Sequence, residues 1–149
     1  MRKTVLVTLL AMLSIGLASA QTIDLFEFGK NSAIAVKLAT QLDYLNQKCK
    51  KESAPIYMNQ TDFILTQIGG RSAKSIRENA AKVMGVTPER VRQLAIDEAN
   101  EVLSQLGGCQ SKKLLTATQS AALRWGEYQK YLVDVADMVH RNPGRNIFR

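Results

Sequence analysis

One histidine, His140, and two cysteines, Cys49 and Cys109, are the scarcest reactive groups of this 149-residue chain. Asp134, Asp137 and His140 follow one another at spacings of three, which on a helix would set three metal-ligating groups along one side. A helical wheel argues against that use. With Leu132 at the centre of the apolar stripe, Asp134 and Asp137 lie about 200° and 140° away and His140 near 80°. Two carboxylates then face solvent, and the histidine sits near a helix C-terminus, where its charged form suits the dipole. No metal is assigned.

A second group of carboxylates, Asp97, Glu98 and Glu101, clusters on one segment. Glu98 lies beside Leu94 and Val102 at the edge of an apolar face, where burial raises a carboxyl pKa and suits it to general-acid work. An envelope hydrolase built on Glu98 is therefore the alternative reading. The same residue serves equally well as a surface partner of Arg90, Arg92 or Arg124. The chain has no Gly-rich strand–helix phosphate loop and no nucleophile elbow, and a serine–histidine mechanism would have to pass through His140. No catalytic residue and no cofactor are assigned.

The first twenty residues carry an address. Arg2 and Lys3 precede an apolar segment from Val5 to Leu17, and Ala18-Ser19-Ala20 offers small residues where a signal peptidase cuts. Cleavage there makes Gln21 the mature N-terminus and a periplasmic or secreted protein the expectation. The apolar run is shorter than the roughly 20 residues of a spanning helix. No cationic stop signal follows it, and no cysteine for a lipoprotein anchor.

Removing this segment leaves 129 residues, enough for one core, and lowers the formal charge from +7 to +5 through loss of Arg2 and Lys3. The remaining cations are scattered, among them Lys37, Lys82, Arg90, Arg124 and Arg141, with little aromatic interleaving. Nucleic-acid binding wants a concentrated basic stripe, so that class is excluded. Attraction to an acidic protein or to an anionic envelope surface stays open, and peripheral membrane contact is not required.

In an oxidising compartment Cys49 and Cys109 are expected to pair. Cys49 ends the apolar series Ile34, Ala35, Leu38, Leu42 and Leu45, and Cys109 follows Gly107-Gly108 after another helix. A bond between them closes a loop of about 60 residues, worth on the order of 4 kcal/mol. Their wide separation does not fit a redox motif.

The remaining pattern is helical. A first helix is expected over about Asn31 to Lys51, and a second begins after Asn59, read as its cap rather than as a glycan acceptor in Asn59-Gln60-Thr61. Asp62 then complements the first turn, and Gly69-Gly70 stops the helix. A third runs from Ser72 or Ser75 to Met84, and the capping-box spacing of Ser75 and Glu78 offers a restart at Ser75. Thr87-Pro88 opens a fourth, whose inward set is Val91, Ala95, Ala99, Val102 and Leu106 and which Gly107-Gly108 ends. The fifth, about Lys113 to Arg141, carries a long stripe including Trp125, Leu132, Val135 and Ala136, and Asn142-Pro143-Gly144 terminates it.

The expected fold is all-α, a single bundle-like domain of four or five helices over residues 21–149, stapled by one disulfide. Residues 21–30 and 142–149 read as loose ends unless Ile23, Leu25, Phe26 and Phe28 pack back onto the bundle. Beside the fifth helix's main stripe, Arg124, Tyr128, Tyr131 and Met138 fall between about 240° and 320°. These residue types are enriched at protein interfaces, so this flank is the candidate partner-binding surface, unless another helix covers it.

A small exported protein acting by protein–protein contact, without cofactor, is the resulting functional expectation. Its partner would be another envelope or secreted protein. One concrete form, by analogy of size and location, is an immunity-type inhibitor of a secreted toxin. A periplasmic stress chaperone is a further alternative, although that role wants a more flexible and more strongly charged chain.

Overall fold

A computed structural model describes residues 21–69, 73–83 and 85–149. The expected signal segment, and Ser72 and Met84 at the margins of the third helix, lie outside the described residues. Five helices follow in order: α1 (Leu25–Cys49), α2 (Ile56–Gly69), α3 (Ala73–Val83), α4 (Pro88–Gln105) and α5 (Lys112–Arg141). No described helix is long and apolar enough to cross a membrane.

Helix α1 is the hub. It touches each of the other four, which surround it in the order α5, α2, α3, α4. Its composition allows this contact on several sides. Small residues alternate with leucines, so Ala35, Ala39, Leu38, Leu42 and Leu45 are all buried. At Gly29 an added Cβ would lie 3.0 Å from the Val83 Cβ, so only glycine lets α1 and α3 approach this closely.

The helix boundaries follow local chemistry where caps are present. Thr87 caps α4 by accepting the Arg90 N–H at 3.2 Å, and Pro88 takes the first helical position. Gly107 and Gly108 end the helix with φ of +88° and +82°, values that suit glycine. Ser111 caps α5, whose buried Leu132, Val135 and Ala136 face α1 and α2.

Four expectations are corrected. Helix α1 begins at Leu25, six residues before Asn31, because the Asp24 carboxylate caps it by accepting the Glu27 N–H. Helix α2 begins at Ile56, so Asn59 lies inside it and is no cap. Asp62 is likewise beyond the first turn and pairs instead with Arg77 of α3. Helix α3 runs through position 75 without a restart.

The ends are not loose. Ile23 and Phe148 form a parallel bridge: the Ile23 N–H donates to the Ile147 carbonyl at 2.7 Å and the Arg149 N–H to the Ile23 carbonyl at 3.0 Å. Ile23 and Ile147 are buried, and the Phe28 and Phe148 rings pack with centroids 5.1 Å apart. Of the four apolar residues at the start, Ile23 and Phe28 pack back onto the bundle, while Leu25 and Phe26 stay exposed.

Cys49 and Cys109 form the expected disulfide, with Cα atoms 5.1 Å apart. It ties the end of α1 to the α4–α5 turn beside a small core of Leu45, Ala99 and Leu114. The double substitution Cys49→Ser/Cys109→Ser is expected to lower the unfolding free energy by about 4 kcal/mol in urea denaturation. An unchanged urea midpoint would contradict this assignment.

Candidate functional site

The interior of the bundle is organised around two polar side chains. Asp43, on the buried face of α1, accepts the Tyr57 N–H at 3.0 Å and the Met58 N–H at 2.8 Å. These amides belong to the first turn of α2 and have no acceptor within their own helix, so a carboxylate from another helix caps it. One turn on, the buried Thr61 hydroxyl donates to the Tyr57 carbonyl and accepts from the Trp125 indole N–H at 3.1 Å and the Gln129 amide at 2.8 Å. Its single donor and both lone pairs are used. The Tyr57 ring meets Trp125 edge-on, 4.8 Å between centroids.

With α2 fixed in this way, a cleft of about 360 Å³ opens between α1, α2, α3 and α4. Val36, Met58, Ala81, Val91 and Ile96 supply apolar wall, while Tyr44, Gln47, Glu89 and Arg92 bring polar groups. The Tyr44 hydroxyl donates to Asn100 Oδ1 at 2.8 Å, which fixes that ring across α1 and α4. Asp43 also borders the cleft, but both of its oxygens are committed to backbone. What remains available is apolar wall together with hydrogen-bonding and charged side chains.

Other sequence candidates take different roles. Glu98 accepts from Lys37 Nζ at 2.6 Å and Gln41 Nε2 at 2.7 Å, each on a different oxygen, and so braces α4 against α1. Asp134, Asp137 and His140 are exposed, with Asp137 3.7 Å from Arg141. Among the described residues no group of three or more His, Cys, Asp or Glu side chains could hold a metal ion.

The expected partner flank is divided. Arg124 is exposed, whereas Tyr128, Tyr131 and Met138 are half-buried and pack against the main core. Burial pushes the Tyr131 phenol above its ordinary range, reinforced by the Glu27 and Asp24 carboxylates and opposed by Asn31. Asn31 and the first turn of α1 thus lie on the Tyr131 side of this flank. No family model, no curated protein and no solved structure matches this chain.

The cleft was not read from sequence because its walls come from four helices. Asp43 did leave a signal, being an acid on the same face as Ala35, Ala39, Leu42 and Asn46. Burial raises its carboxyl above the ordinary aspartate range, and the Met58 and Tyr57 N–H groups oppose this only in part. The folded chain thus holds that proton more tightly than the unfolded chain does. The resulting stability is gained as pH falls through the raised value toward the ordinary one, and lost as pH rises through the same window. Relative to Asp43→Asn, the native chain is expected to gain unfolding free energy on acidification from about pH 7 to about pH 4. Urea denaturation across that range checks it, and a pH-independent difference would refute it.

Proposed function

We propose that this chain is an exported helical binding protein that works by protein–protein contact, with another envelope or secreted protein as its partner. The observation supporting the reading is the four-helix cleft, whose apolar wall is accompanied by Tyr44, Gln47, Glu89 and Arg92. An apolar centre with polar surroundings is the usual build of a protein interface, and tyrosine, methionine and arginine are over-represented there. The cleft borders are braced by the Asp43 cap, the Tyr44–Asn100 hydrogen bond and the Lys37–Glu98 ion pair, so little conformational freedom is lost on docking. Gln47 and Arg92 are exposed on α1 and α4, within reach of a partner.

Recognition by a preformed cleft suits stoichiometric inhibition, and an immunity-type inhibitor of a secreted toxin is the concrete form of the proposal. The chain's size and the expected export fit that form.

Photo-cross-linking residues placed at 47 and 92 in the intact expressing cell test the reading, with exposed Lys130 on α5 as the control position. One and the same envelope or secreted protein is expected at 47 and 92 and not at 130. Arg92→Glu is expected to lower complex formation about tenfold without changing the melting temperature. Equal products at all three positions, or none at any, would overturn it.

A further inference from the structure

A second pocket, of about 590 Å³, lies where the start of α1 meets the C-terminal segment, and it shares no lining residue with the four-helix cleft. Its interior is formed by Phe28, Ile68, Val83, Val139, Ile147 and Phe148. The terminal bridge supplies one wall by holding Ile147 and Phe148 against the start of α1. Gly29 supplies another by letting Val83 of α3 pack directly on α1.

The polar groups on this pocket have one sign. Lys82 from α3 and Arg145 from the C-terminal segment both line it, and among the described lining residues no carboxylate does. Among the described residues neither cation forms an ion pair. Asn79 is the one uncharged polar side chain in the described lining. Leu25 borders the same pocket and is 49% exposed, so the interior is open to a ligand from solvent.

We propose that this pocket binds an amphiphilic anion, an acyl chain in the apolar interior with its anionic head held by Lys82 and Arg145. The volume falls within the range of small-molecule sites, which runs from roughly 300 to 1,000 Å³. An acyl chain has no polar atoms along its length, so the apolar wall leaves nothing unsatisfied. A peptide in the same place would bury amide groups with only Asn79 to pair them, at a cost in desolvation. Two cations without an acidic partner among the described residues complement a single anionic head. A free fatty acid and a phospholipid share this chemistry, and the experiment separates them.

The disulfide-intact full chain is titrated calorimetrically with decanoate, dodecanoate, lysophosphatidylglycerol and dodecyltrimethylammonium. One-to-one binding of dodecanoate or lysophosphatidylglycerol is expected, and the tighter of the two identifies the source. Affinity is expected to rise about threefold or fourfold per added methylene between decanoate and dodecanoate. The cationic detergent is expected to bind at least about tenfold more weakly than dodecanoate. Lys82→Glu with Arg145→Glu is expected to abolish that preference, and Leu25→Trp to weaken both anions by narrowing the opening. Melting curves of these variants, which change exposed or half-exposed side chains, are expected to match the native chain. Absence of binding by both anions, equal affinity for the cationic detergent, or an undiminished preference in the well-folded double variant would overturn the proposal.

Discussion

A carboxylate from the middle of α1 closes the start of α2, and the arrangement of the bundle follows from that junction. Burying Asp43 takes a charge out of water, which is unfavourable unless hydrogen bonds replace the lost hydration. The Tyr57 and Met58 amides provide two such bonds, charge-assisted and aligned with the positive end of a helix. The contact works in both directions: the acid is satisfied, and two amides that their own helix cannot satisfy gain an acceptor. Geometry follows from it. Once α2 is fixed to α1, Thr61 faces α5 and accepts from Trp125 and Gln129, so one turn of α2 connects the hub helix to the longest one.

The two ends of α1 are secured by different means. At the C-terminal end the Cys49–Cys109 bond fastens it to the α4–α5 turn. At the N-terminal end the Ile23–Phe148 bridge pulls the chain's last residues over its first turn. Between them, Glu98 accepts from Lys37 and Gln41 and holds α4 alongside. Helix α1 is therefore held at both ends and in the middle. Each of the two cavities borders α1 and is shaped by one of these devices, the four-helix cleft by the Asp43 cap and the terminal pocket by the bridge.

Features encoded by residues near in sequence were legible. Thr87-Pro88 and Gly107-Gly108 mark the bounds of α4 because cap geometry is local, and the α5 stripe identifies Leu132, Val135 and Ala136 as inward. The disulfide was legible because only two cysteines exist. What escaped depends on distant partners. Asn59 looks like a cap only if the acceptor must be nearby, and here the acceptor is Asp43, fourteen residues before Tyr57. The start of α1 was misplaced because Phe26, Glu27, Phe28 and Gly29 follow no clear period, and Phe28 finds its ring partner in the distant Phe148. The wheel of α5 correctly separated Tyr131 and Met138 from the stripe centre, yet one helix's wheel cannot show that a neighbour covers its flank. The cleft was invisible for a related reason: Tyr44, Met58, Ala81 and Arg92 belong to four different helices.

Amide hydrogen exchange at Tyr57 and Met58 of the native chain tests the junction most directly. Both lie in the first turn of α2, where helix formation alone protects neither N–H. If Asp43 holds them, their exchange slows to the rates of the helix interior around Thr61. Exchange at the rate of an unstructured peptide, in a chain whose other α2 amides are protected, would contradict the account.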